Sequence, residues 1–129
     1  NVKFLGYLNQ KELSNLYKYI DIALLPNKPS VLIYDNGQEI GDVTSPLKLF
    51  EYLSFGIPII SSDLKVLREV LNKDNSILVP YDDINKWVNA LKQLQNVNLR
   101  NDLSRKGLED FREKYSWDIR AKKVLNLLQ

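Results

Sequence analysis

The segment TSPLKLFEYLSFGIPIISSD, residues 44–63, is the most informative part of this chain about its fold. Ser45 is a typical N-cap residue, Pro46 suits the first helical position, and Gly56 is typical of a helix end. The apolar segment that follows predicts a short buried strand, and Pro58 stands at its entry, where a missing N–H is tolerated. A capped helix that leads at once into a buried strand is typical of an α/β domain.

The same alternation extends in both directions along the chain. Apolar runs predict further short strands at residues 2–5, 22–25 and 76–80. An amphipathic helix begins after Asn9, which stands three residues before Glu12 as in a capping box, and three more amphipathic helices end the chain. This order predicts an α/β, Rossmann-like three-layer domain with a parallel sheet and flanking helices. Without an interdomain linker, residues 1–129 are predicted to form a single domain.

Smaller features of the pattern give local expectations. Ser62 or Asp63 is predicted to cap a short helix, and the pair at positions 82–83 to cap the next one rather than to act as a carboxylate pair. Asn36 and Gly37 favour a hairpin turn inside a long connection. Gly107 is expected to loosen the helix that contains it. The apolar stripes of the predicted helices place both tryptophans in the core, and Trp87 lies on one of these stripes. The last helix is predicted to have Ser116 as its cap, and its apolar stripe consists of Trp117, Ala121, Val124, Leu125 and Leu128.

Composition excludes several classes of protein. Eighteen Lys and Arg against 16 Asp and Glu give a net charge of +2, too weak for a nucleic-acid binder. The chain has no Cys and no His, which removes disulfides, thiolate metal sites and a Ser-His-Asp triad. It has no run that could span a bilayer and no signal peptide, so a cytoplasmic location is expected. Because it begins with Asn1 and has no Met, we expect a fragment of a longer protein.

The helix that begins at Ser45 is the candidate ligand site. The free amides and the dipole of a helix N-terminus favour a phosphate, and here Leu47 and Lys48 would supply the amides. The Lys48 ammonium adds a positive charge one turn into the helix. Glu51 lies on the same side, and a carboxylate suits the vicinal hydroxyls of a ribose. The alternative is that Lys48 and Glu51 form an ordinary solvated surface pair.

The segment TSPLKLFEYLSFGIPIISSDLKVLREVL resembles the donor-binding motif of retaining glycosyltransferases of family 4, which have the GT-B fold. The flanks VKFLGYLNQKELSNLYKYIDIALLP and YSWDIRAKKVLNLL are similar to the strand-helix-strand before that motif and to the closing helix. The resemblance implies the C-terminal half of a GT-B fold without its first strands. Those strands would lie between the first two strands predicted here, so a gap in the sheet is expected.

The resemblance also assigns roles to individual residues, although it names no catalytic residue. Glu51 matches the second Glu of the Glu-x7-Glu motif, which binds the ribose of the nucleotide sugar. The first Glu, which contacts the sugar, is replaced by Val43, and the adjacent Asp42 is a candidate substitute. Pro46 replaces a Gly and offers no N–H. The residues that match the segment holding the diphosphate and donor sugar are Thr44, Ser45, Leu47 and Lys48.

The resemblance implies a donor domain for a nucleotide-diphosphate sugar. In the complete enzyme a sugar would pass from a UDP-, GDP- or ADP-sugar to an acceptor hydroxyl with retention, for polysaccharide, lipopolysaccharide or glycolipid synthesis. No metal or other cofactor is expected. The implied partners are the nucleotide sugar and an N-terminal acceptor-binding domain of the same enzyme, with no nucleic acid; peripheral contact with the inner face of the membrane stays open. This chain alone is expected to bind nucleotide weakly without turnover. The alternative is a non-catalytic nucleotide-binding or protein-interaction module.

Overall fold

Three short parallel strands form the centre of the molecule. The computed structural model describes residues 2–29 and 47–127. Its elements in chain order are α1 (Gln10–Tyr17), β1 (Ala23–Leu25), α2 (Leu47–Ser54), β2 (Ile59–Ser62), a 3₁₀ turn (Leu67–Glu69), β3 (Ser76–Val79), α3 (Ile84–Gln93), α4 (Val97–Asp110), a π-helical turn (Phe111–Tyr115) and α5 (Trp117–Leu127).

The sheet has the strand order β1-β2-β3, with β2 in the middle. Both pairings are parallel, and Ile60 of β2 lies between Leu24 of β1 and Ile77 of β3. All four residues of β2 are buried, because neighbouring strands cover its edges and helices cover its faces. The predicted α/β, Rossmann-like architecture with a parallel sheet and flanking helices is therefore confirmed.

The core consists of two clusters, one on each face of the sheet. Alternate side chains of β2 point to opposite faces, so Ile59 belongs to one cluster and Ile60 to the other. The buried residues of the α2-side cluster are Tyr17, Ala23, Leu25, Leu49, Leu53, Ile57, Ile59, Leu67 and Leu71. Those of the α3-side cluster are Ile60, Val79, Ala90, Leu94 and Leu103.

The predicted caps are observed at α1 and α3. Asn9 Oδ1 accepts hydrogen bonds from the amides of Lys11 and Glu12, and Glu12 Oε2 accepts one from Asn9 N, which completes the capping box. Asp83 caps α3, since its side chain accepts a hydrogen bond of 3.1 Å from Lys86 N. The prediction that the acidic pair before α3 acts as a cap is thus confirmed for Asp83. The hairpin predicted at Asn36 and Gly37 lies outside the described residues.

The predicted first strand at residues 2–5 is wrong. The segment has no regular secondary structure and joins no strand among the described residues, and Val2 and Phe4 are 84% and 94% exposed. A strand requires a neighbour for its backbone groups, whereas the described strands pair only with one another. The described strands form one continuous sheet in which β1 pairs directly with β2, so the gap that the family resemblance implies does not interrupt them.

Two further expectations are corrected by the packing. The turn after β2 is a 3₁₀ turn preceded by Val66 with no side-chain cap, because Asp63 forms an ion pair with Arg68 and the Ser62 side chain is buried. Trp117 is not a core residue: it is 79% exposed, and α5 has no buried residue in the described part of the chain. Trp87, by contrast, packs against the α3-side cluster and donates through Nε1 to the carbonyl of Pro80 at 3.0 Å.

Candidate functional site

The candidate site lies on α2, which is anchored to the core. Leu49 and Leu53 are 0% and 1% exposed and fix one side of the helix on the α2-side cluster. At its end, Gly56 has a φ of +63°, and Ile57 N donates to the carbonyl of Tyr52 at 2.9 Å. This is the Schellman arrangement that a glycine permits. Lys48 and Glu51 lie outside this buried side of the helix and are only partly buried.

Glu51 is the centre of a three-residue hydrogen-bond cluster. Its Oε2 accepts hydrogen bonds from Tyr17 Oη at 2.5 Å and from Lys48 Nζ at 3.1 Å. Lys48 Nζ also lies 3.2 Å from Tyr17 Oη, to which it donates. Both hydrogen bonds that described residues give to Glu51 fall on Oε2, and none of these residues donates to Oε1.

The members of this cluster differ in exposure. Tyr17 is 5% exposed, and its ring meets the rings of Tyr52 and Phe55 edge-on at centroid distances of 5.7 and 5.1 Å. The side chain of Glu51 is 31% exposed and that of Lys48 is 50% exposed. The cluster thus extends from a buried phenol at the end of α1 to a half-exposed cation on α2.

The electrostatics of the cluster follow from these contacts. Burial raises the pKa of the Tyr17 phenol, and the hydrogen bond to the Glu51 carboxylate raises it further, against an opposing effect of Lys48. The hydrogen bond to Tyr17 raises the pKa of Lys48, and the Glu51 carboxylate adds to it in spite of partial burial. Near neutral pH, Tyr17 is consequently a neutral donor and Lys48 a cation.

A groove runs along the other side of Glu51. Its volume is about 680 Å³, and it lies between α2, the 3₁₀ turn, the π-helical turn and the start of α5. The rings of Phe50 and Tyr115 pack against each other in the wall of the groove, with a centroid distance of 5.6 Å. The Arg120 guanidinium lies over the Trp117 ring. The lining residues are Leu47, Phe50, Glu51, Ser54, Glu69, Val70, Phe111, Tyr115, Trp117 and Arg120.

The structure brings together only part of the predicted site. Leu47, which is 77% exposed, begins α2, and Lys48 and Glu51 are joined directly. The sequence analysis does not include Tyr17 in the site; the available signal was a tyrosine within the apolar pattern of α1, since a buried phenol usually finds a hydrogen-bond partner. The other predicted residues lie outside the described ranges: Asp42, Val43, Thr44 and Ser45.

The carboxyl end of β2 carries polar residues that do not join this cluster. Ser61 and Ser62 are fully buried, and the Ser62 hydroxyl has no hydrogen-bond partner within residues 2–29 and 47–127. Asp63 accepts a hydrogen bond from Arg68 Nη2 at 2.6 Å. Their roles in the described structure are strand packing and a surface ion pair.

Neither a metal centre nor a membrane span is found in the described part of the chain. No group of three or more metal-ligating side chains of the His, Cys, Asp and Glu types comes together there. None of the helices in these ranges has the length and apolar character needed to cross a bilayer.

The parallel sheet and its flanking helices form an α/β, Rossmann-like fragment that matches the fold of GT-B glycosyltransferases. The sequence model of the family described as Glycosyl transferases group 1 matches residues 1–96. Because the match covers most of the chain, the chain belongs to this family. A comparison with curated proteins gave no match.

Two solved structures support the same fold. The chain is similar to sucrose-phosphate synthase from Thermosynechococcus elongatus, with a TM-score of 0.77 and 22% identity over 98% of this chain and 29% of that one. It is also similar to TarM, with a TM-score of 0.65 and 20% identity over 94% of this chain and 22% of that one. The chain therefore spans less than a third of either structure's length, and at these identities the likeness concerns the fold.

Proposed function

We propose that this chain is the nucleotide-sugar-binding domain of a retaining glycosyltransferase of family 4. The observation that carries the proposal is the placement of Glu51 on an anchored helix, with Oε2 held by Tyr17 and Lys48 and with the side chain bordering a groove. A carboxylate fixed through one oxygen offers the other to the hydroxyls of a ribose. Membership of a glycosyltransferase family supports glycosyl transfer as the reaction.

The proposed chemistry is electrostatic. The first amides of α2, including that of Leu47, and the ammonium of Lys48 would stabilise the diphosphate as it leaves the sugar. The segment from Thr44 to Ser45 would hold the diphosphate and donor sugar, with Asp42 or Val43 beside the sugar. In a complete enzyme the sugar would pass from a UDP-, GDP- or ADP-sugar to an acceptor hydroxyl with retention and without a metal. The acceptor would lie on an N-terminal domain, in an enzyme of polysaccharide, lipopolysaccharide or glycolipid synthesis in the cytoplasm.

Titration of the chain with UDP, GDP and ADP and with their glucose or mannose conjugates tests the proposal. We expect saturable binding to one nucleotide series, and Glu51→Ala to weaken it by about 10- to 100-fold, because a hydrogen bond to a charged group is worth about 1.5–3 kcal/mol. Glu109→Ala is the matched control, since it removes the carboxylate of an exposed ion pair on α4. Absence of binding to a folded chain, or equal loss in both variants, would refute the site.

The role of Lys48 is tested by the salt dependence of nucleotide affinity in the same titration. Lys48→Ala should weaken binding about 10-fold at low salt and reduce the dependence of affinity on salt, because one charge no longer faces the diphosphate. Lys92→Ala, which removes an exposed cation near the end of α3, is the control. An unchanged salt dependence in Lys48→Ala would remove this ammonium from the diphosphate site.

The second candidate function is a non-catalytic nucleotide-binding or protein-interaction module. It is favoured by Val43, which stands where the resemblance expects the first Glu of the motif. The two functions differ in their dependence on the sugar. A donor domain should bind the nucleotide sugar more tightly than the free nucleotide, whereas an interaction module should show no preference.

A further inference from the structure

Tyr17 reaches the candidate site from a distant part of the sequence. It ends α1, 34 residues before Glu51, and its hydroxyl donates to Glu51 Oε2. The same hydroxyl accepts a hydrogen bond from Lys48. The phenol thus donates to one charged residue of the site and accepts from the other, and these two hydrogen bonds constrain the positions of both side chains.

The phenol is the more rigid of the two groups that hold Glu51. Tyr17 is 5% exposed, and the Tyr52 and Phe55 rings pack edge-on against it. The Lys48 side chain is 50% exposed and carries the conformational freedom of a long chain. The orientation of the Glu51 carboxylate is therefore set mainly by Tyr17.

We propose that Tyr17 is a positioning residue that holds Glu51 Oε2 so that Oε1 faces the ribose hydroxyls of the bound nucleotide. The inference rests on the proposed function, in which Glu51 binds the ribose. Its physical basis is that a preorganised carboxylate loses less conformational entropy when a ligand binds than a freely rotating one. Tyr17 is thus expected to determine affinity for ribonucleotides without touching them.

The test uses variants of this chain and two kinds of nucleotide. Tyr17→Phe keeps the ring and its packing but removes the hydroxyl, and Tyr52→Phe removes a neighbouring hydroxyl that is not a hydrogen-bond partner of Glu51 in the described structure. We expect Tyr17→Phe to weaken binding of UDP, GDP or ADP about 10-fold. The affinity for the corresponding 2′,3′-dideoxy nucleotide should be unchanged, as should both affinities in Tyr52→Phe.

Each alternative result has a distinct meaning. Equal weakening of ribonucleotide and dideoxynucleotide binding would make Tyr17 a packing residue, and wild-type affinities in Tyr17→Phe would also overturn the inference. In either case Glu51→Ala would still test the proposed function separately. A wild-type chain that binds no nucleotide would overturn both.

A measurement without ligand tests the contact itself. The stabilities of Tyr17→Phe, Glu51→Ala and the double variant form a double-mutant cycle in urea unfolding. We expect the two single effects not to add, because each removes the same hydrogen bond. Additive effects would show that Tyr17 does not hold Glu51 and would overturn the inference.

Discussion

At the scale of the single residue, Asp110 is a charge buried for structural reasons. Its side chain is 2% exposed and accepts hydrogen bonds from Lys114 Nζ at 2.7 Å and Asn75 Nδ2 at 3.0 Å. Asn75 also donates to the carbonyl of Val70 and accepts from Asn72 N. The end of α4 is thereby tied to the turn that precedes β3.

Replacement of Asp110 should change both stability and its pH dependence. Burial acts to raise the pKa of Asp110, but the hydrogen bonds from Lys114 and Asn75 outweigh it, so the pKa lies below its usual 3.8. A lowered folded-state pKa contributes stability that is present above the unfolded-state pKa and lost as the pH falls through the folded value. We expect Asp110→Asn to lower the free energy of unfolding at pH 7 by about 1–3 kcal/mol. Below about pH 4 the difference should shrink.

Urea unfolding at pH 7, 5, 4 and 3 measures this effect. Glu109→Gln is the control, because its carboxylate is 44% exposed and its ion pairs lie on the surface; it should change stability by less than about 0.5 kcal/mol. A constant difference between Asp110→Asn and the wild type at every pH would contradict the assignment.

At the scale of the element, glycines determine how the helices end and approach. Gly56 ends α2 with a φ of +63°, as its position in the sequence predicts. Gly107 has a different role from the predicted one. A Cβ there would come within 3.0 Å of Leu53 Cδ2, so glycine permits close packing of α4 on α2 rather than loosening α4.

The left-handed conformation at the end of α2 should make Gly56 difficult to replace. Gly56→Ala should lower the free energy of unfolding by about 1–2 kcal/mol, the cost of a left-handed conformation for a residue with a Cβ. That Cβ would also lie 3.3 Å from Ser104 Oγ. Gly6→Ala is the control. Gly6 also has a positive φ, +69°, but an added Cβ would meet no atom, and the exposed backbone around it can relax. Equal effects of the two variants in urea unfolding would contradict the packing at Gly56.

At the scale of the whole molecule, the packing is uneven along the chain. The sheet is covered by helices on both faces, whereas α5 carries exposed apolar side chains and packs mainly on the π-helical turn. Leu94 is 0% exposed and Leu125 is 60% exposed, although both belong to apolar stripes in the sequence. The same residue type therefore contributes differently at the two positions.

Matched substitutions measure this difference. Leu94→Ala should cost about 2–5 kcal/mol because it leaves a cavity in the α3-side cluster. Leu125→Ala should cost less than about 0.5 kcal/mol, since little apolar surface is buried there and alanine favours the helix. Comparable losses in urea unfolding would show that α5 packs on the body of the domain.

Features that depend on near neighbours could be predicted from the amino-acid sequence. Residues a few positions apart determine the capping box of Asn9 and Glu12, the Asp83 cap and the Gly56 helix end. They also determine the alternation of helices and strands from α1 onward. The α/β class follows from that order. The pairing of Lys48 with Glu51 also follows, because residues three apart share a helix face.

Contacts between distant residues could not be predicted in this way, because they depend on how the elements pack. The hydrogen bond from Tyr17 to Glu51 joins α1 to α2 across 34 positions, and no local pattern encodes it. The predicted strand at residues 2–5 and the core position of Trp117 were wrong for the same reason. An apolar pattern shows which side chains favour burial, but whether they are buried depends on which surface the rest of the molecule places against them.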